Sequence, residues 1–203
     1  IKATYNQNKM ASFISELEVE HQNTTQKIGQ LKASKGIRIS EKAADGSPIE
    51  LKAIGSDGTP LYYTTLNDPS AQTTRANTLY EHGLLNLGLT GSGMEVGVWD
   101  AGIALTTHQE FDTRAKNADG SSEISLHSTL VTGNLISAGV EANAQGVAYG
   151  AQAMTYDWTR DKIEAAEAAA NGMLLSNHSY GILSDRVPDW YFGAYIKVTQ
   201  DWD

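Results

Sequence analysis

The chain contains no cysteine. That excludes disulfides and every metal site built on thiolates. Positive charge is also scarce: 15 Lys and Arg stand against 24 Asp and Glu, for a formal net charge of -9. Nucleic acids and anionic membranes reward basic patches, so both are disfavoured as partners. No apolar run approaches the roughly 18 residues of a membrane span. No basic-then-apolar leader opens the sequence. The histidines outside the motif described below, His21, His82, His108 and His178, lack a ligand spacing such as His-x-x-x-His. A glycine cluster, Gly91-Ser-Gly93-Met-Glu-Val-Gly97, imitates a dinucleotide fingerprint. That fingerprint must follow a strand and open a helix, and here the glycines precede a strand, so the fingerprint is rejected.

What remains is a chain of 203 residues with 40% hydrophobic content, 19% charged residues and 19 glycines. This suits one turn-rich globular domain with a small appendage. Residues 5–33 predict a polar helix with a partial apolar stripe at Met10, Phe13, Ile14, Leu17, Ile28 and Leu31. The stripe weakens over residues 18–26, which leaves room for a kink or for two helices. Two strands are expected at residues 49–54 and 61–66, joined by Gly55-Ser-Asp-Gly-Thr-Pro60. Residues 1–66 thus read as a small α+β unit. Asn67-Asp-Pro-Ser70 reads as the start of a linker that runs, with a short helix at 72–82, to residue 90.

From there the pattern changes. Strands are expected at 94–99, 153–156 and 173–177, and helices at 126–138 and 160–172. Near-continuous apolar strands separated by helices predict an α/β fold, a mainly parallel, doubly wound sheet covered on both faces, over residues 91–203.

Functional groups of such sheets gather at the carboxyl ends of strands. Val96-Gly-Val-Trp-Asp100 ends a strand on an acid, and His127-Ser-Thr-Leu-Val-Thr-Gly133 opens a helix on a histidine. Each alone has a plain reading: Asp100 as a turn residue, His127 as a polar residue near a helix start. Together they supply two members of a nucleophilic triad. A carboxylate that accepts from one imidazole nitrogen fixes the tautomer and supports the imidazolium formed when the other nitrogen takes a proton.

The two segments resemble the aspartate and histidine boxes of the subtilisin-like serine peptidases. His108-Gln-Glu110-Phe111, Gly146-Val-Ala-Tyr-Gly-Ala151 and Ser176-Asn-His-Ser-Tyr-Gly181 follow as further landmarks in the family's order. The resemblance covers about half the chain. It implies the amino-terminal half of that catalytic domain, with Asp100 orienting the imidazole and His127 acting as general base and then acid. It implies that Ser179, Tyr180 and Gly181 bind an extended peptide substrate. The family's nucleophilic serine and oxyanion asparagine lie on later segments and match no residue here.

Departures from the family pattern are specific. Ala101 stands where a hydroxyl residue is common. Ser128, Leu130 and Thr132 replace Gly, His and Ala in the histidine box, and Leu130 is expected in the core. Glu110 matches a position that holds structural calcium in some relatives. One carboxylate falls short of the roughly six to eight oxygens calcium takes, so Glu110 is expected to be solvated or paired and no cofactor is assigned.

The resemblance further implies a secreted or cell-surface endopeptidase with a peptide or protein substrate. Residues 1–66 would be a pro-segment or accessory unit. Ile1 and Asp203 read as cut ends. The serine and the rest of the domain are expected on a second polypeptide, and this chain alone is expected to be inactive. The rival reading is a catalytically inactive subtilisin-like binding or structural module.

Overall fold

The computed structural model describes residues 6–35, 37–42, 48–65, 75–141 and 144–203. Helix α1 runs Gln7–Lys35 without a break. The gap in the apolar stripe brings no break, and charged residues there form ion pairs. Glu18 meets Arg160 at 3.6 Å, and Glu20 meets Lys162 at 3.3 Å and Lys197 at 3.0 Å. Leu17 is buried, and Ile28 packs against Ile49, Leu51 and Tyr62.

Those three residues belong to an antiparallel sheet of β1 (Ser40–Lys42), β2 (Pro48–Ile54), β3 (Pro60–Thr65) and β8 (Tyr180–Ile182), in that order. The turn chemistry between β2 and β3 forms as expected. Gly55 N–H donates to the Thr59 carbonyl at 2.8 Å, and Asp57 accepts from both the Thr59 backbone and hydroxyl. β3 pairs with β8 so that Thr64 faces Gly181 and Thr65 faces Tyr180. The expected linker at 67–70 and the start of the short helix at 72–74 lie outside the described residues. Of that helix, Ala76–Leu79 form a 3-10 turn.

The second sheet is parallel throughout. Its order is β5 (Ala115–Asn117), β6 (Gln152–Asp157), β4 (Glu95–Asp100) and β7 (Leu175–His178). Strand side chains alternate between faces. One face presents Val98 and Ala153 to helix α2 (Leu126–Ile136), and with Val131, Ile136, Phe111 and Ala115 they make the core. On the other, Trp99 stacks between its two cross-strand neighbours. Its centroid lies 4.1 Å from Tyr156 and 5.1 Å from His178, with planes within 7° and 11° of parallel. Helix α3 (Asp161–Ala170) packs on α1, and helix α4 (Lys197–Trp202) ends the chain described here. The architecture is therefore α/β, with one parallel and one antiparallel four-stranded sheet.

The compact units do not follow chain order. One comprises Ile1–Thr65, Thr159–Gly172 and Tyr180–Asp203; the other comprises Leu66–Trp158 and Met173–Ser179. The aromatic segment at residues 190–195 is a 3-10 turn at Asp189–Tyr191 followed by irregular chain. Tyr191 is buried there, whereas Trp190, Phe192 and Tyr195 are exposed.

Candidate active site

Asp100 is the last residue of β4, an interior strand, and its side chain points to the face that α2 covers. It is fully buried. Beyond it the chain must turn away beside the approach to α2, and Gly102 makes that possible. A Cβ there would lie 2.6 Å from the Glu123 carbonyl oxygen. With no Cβ in the way, Ile103 N–H donates to Glu123 O at 2.8 Å, and Ser125 N–H donates to Ile103 O at 2.9 Å.

Ser125 then caps α2. Its hydroxyl accepts from Ser128 N–H at 3.1 Å, which satisfies one of the open donors of the first turn. His127 stands in that turn, and its Nδ1 lies 2.7 Å from Asp100 Oδ2. The other carboxylate oxygen, Oδ1, accepts from Ala101 N–H at 2.8 Å. A carboxylate accepts, so Nδ1 carries the proton and Nε2 is the basic nitrogen. The imidazole is 12% exposed. The arrangement is a buried acid holding a nearly buried base in the tautomer that proton abstraction requires.

The far end of α2 is clamped by two residues. Glu110 is 3% exposed. Its carboxylate accepts N–H groups from Gly139 at 2.8 Å, Val140 at 3.0 Å and Glu141 at 2.8 Å. These hydrogen bonds, led by that of Glu141, hold its pKa below the ordinary glutamate range despite desolvation. Glu110 is thus paired, to backbone donors. Arg114 donates to the carbonyls of Ile136, Ala151 and Glu110. Nothing in the sequence pattern marks Arg114 for this task, because its partners are backbone carbonyls.

Leu130 differs from expectation: it is 49% exposed. The buried face of α2 is Ser128, Val131, Thr132 and Ile136. The hydroxyls of Ser128 and Thr132 have no hydrogen-bond partner among the described residues.

Of the five expected site residues, the structure brings Asp100 and His127 together. Ser179 follows β7 and accepts a hydrogen bond from Asn177 Nδ2 at 2.8 Å. Tyr180 and Gly181 belong to β8 in the other compact unit, with their backbone set against β3. The Tyr180 hydroxyl donates to the buried Asp161 at 2.9 Å, and its ring lies 5.2 Å from Tyr63. Burial pushes the Asp161 carboxyl upward.

Among the described residues no group of three His, Asp or Glu side chains is placed to hold a metal ion. No described helix is long and apolar enough to cross a membrane. Compared with family models, curated proteins and solved structures, the chain matches none.

Proposed function

We propose that this chain carries the amino-terminal half of a subtilisin-like serine endopeptidase domain, doubly wound, with residues 1–66 as a pro-segment or accessory unit. The observation that carries this reading is the 2.7 Å contact between His127 Nδ1 and the buried Asp100 at the carboxyl end of an interior parallel strand. In this reading a serine hydroxyl from outside these residues attacks the scissile carbonyl. His127 Nε2 takes the hydroxyl proton and returns it to the departing amine. Asp100 holds the ring and supports its positive charge, and water then releases the acyl group by the same exchange.

Two further features support the reading. β7 is an edge of the parallel sheet among the described residues, and Leu175 and the preceding Leu174 are about half exposed, which suits a sheet completed by further strands. The backbone of Tyr180 and Gly181 accepts an antiparallel partner, as a substrate-binding strand would. A secreted or cell-surface setting follows from the family resemblance. No cofactor is assigned.

The test is fluorophosphonate labelling of this chain reunited with the polypeptide, continuous with it or co-purifying and identified by mass, that supplies the serine. Labelling of the reunited protein that is lost in His127→Ala is the expected result. Asp100→Asn should keep the fold and slow turnover by about four orders of magnitude, through the wrong tautomer. Labelling that survives His127→Ala refutes the role of His127. A partner with no reactive serine favours an inactive binding module.

A further inference from the structure

We propose that Thr129 is a positioning residue for the dyad: its hydroxyl ties the first turn of α2 to the loop leaving Asp100, and so sets the reach of His127. The catalytic meaning of this rests on the peptidase reading; the geometry does not.

Asp100 and His127 sit on different elements, so the hydrogen bond between them depends on how those elements are held. The two backbone ties, Ile103 N–H to Glu123 O and Ser125 N–H to Ile103 O, stop at the helix cap. Neither reaches into the first turn of α2, and the Arg114 clamp holds only its far end. Thr129 adds a tie within the helix, two residues beyond His127. Its hydroxyl proton is committed to Ser125 O at 2.8 Å. Its oxygen is therefore an acceptor for Leu105 N–H, which lies 2.9 Å away. Leu105 is five residues past Asp100, on the loop that begins with the Asp100-bound Ala101 N–H. One hydroxyl thus closes a ring of contacts: Asp100, the 101–105 loop, Thr129, the Ser125 cap and His127. A shift of about half an ångström is enough to degrade such a constellation.

Valine matches threonine in shape but offers neither hydrogen bond; serine offers both. The experiment uses the chain as it stands, by proton NMR, and needs no nucleophile or substrate. A charge-assisted N–H···O bond of this length gives a slowly exchanging low-field Nδ1 proton on His127. In Thr129→Val, amide exchange at Leu105 is expected to rise about fivefold to tenfold. The His127 Nδ1 proton is expected to broaden or vanish while circular dichroism stays native. Thr129→Ser is expected to keep both signals.

A Thr129→Val chain that exchanges faster at Leu105 yet keeps the His127 proton overturns the proposal. So does Thr129→Ser losing it, since shape would then be the cause. If Thr129→Val fails to fold, Thr129→Ala decides by the same two readouts. Wild-type chain with no low-field His127 proton overturns the dyad itself together with this proposal. A dyad signal indifferent to Thr129 overturns this proposal alone. In the reunited peptidase the expected companion effect is a fall in kcat at unchanged KM.

Discussion

Acidification should weaken the parallel-sheet unit well before ordinary carboxylates begin to protonate, and His178 supplies the mechanism. Its ring lies stacked on Trp99. Burial lowers its pKa from 6.5 to about 4. The folded chain therefore keeps His178 neutral down to about pH 4, whereas the unfolded chain takes up the proton below pH 6.5. Across that window the unfolded state binds more protons, so stability falls as pH falls. The contribution is fully present above pH 6.5 and is lost by about pH 4. The gap corresponds to about 3 kcal/mol at full burial, at 1.36 kcal/mol per pKa unit. The ring keeps some access to solvent, which reduces the expected effect to about 2 kcal/mol.

The assay is urea unfolding followed by tryptophan fluorescence, at several pH values between these limits. Wild type alone is not diagnostic. His21, in the other compact unit, is also lowered, by burial and by Arg160, Lys52 and Lys162. It therefore loses stability with the same sign. His178→Phe keeps a ring against Trp99 and removes the titrating group, so the difference between the two chains isolates His178. That difference should move by about 2 kcal/mol in favour of phenylalanine across the window. Parallel curves for the two chains would refute the argument.

Ser128→Ala and Thr132→Val remove buried hydroxyls that have no described partner, so each should be neutral or stabilising by about 1 kcal/mol in denaturant melts. A loss above that size would mean the hydroxyls are bonded. Gly97→Ala should destabilise by about 1–3 kcal/mol. Its Cβ would fall 2.3 Å from Trp99 Cζ3 and 2.6 Å from Met173 Sδ, so the near-ultraviolet tryptophan signal should change with it. Glu110→Gln should lower the melting temperature near neutral pH. Because the Glu110 pKa is depressed, its contribution exists above the ordinary value of 4.5 and is lost as pH falls through the folded value. The gap between variant and wild type should therefore shrink in acid. A gap independent of pH would assign the effect to shape.

The local pattern shows where sequence reasoning works. Val96, Val98 and Trp99 are a buried parallel strand because their apolar run offers no polar face to solvent. Asp100 ends that run, and Ser125 caps the helix that carries His127. The two halves of the dyad were therefore legible, each as an element end. Leu130 shows where it fails. Hydrophobicity alone assigns leucine to the core and serine and threonine to the surface, yet the sheet-facing side of α2 holds Ser128 and Thr132. Their small volume fits the close approach to the sheet, and Leu130 lies outside it. Ala115-Lys-Asn117 carries no strand alternation, and it is a strand only because β6 offers it a pairing edge.

The order of elements, the hairpin turn and the identities of an acid and a base at the ends of a strand and a helix were all fixed by neighbours within a few residues, and local chemistry suffices for those. The 2.7 Å meeting of residues 27 positions apart, the joining of β3 to β8, and the grouping of α1 with Thr159–Gly172 were not. They depend on which edges and faces find each other across the folded chain, and no local pattern encodes that choice.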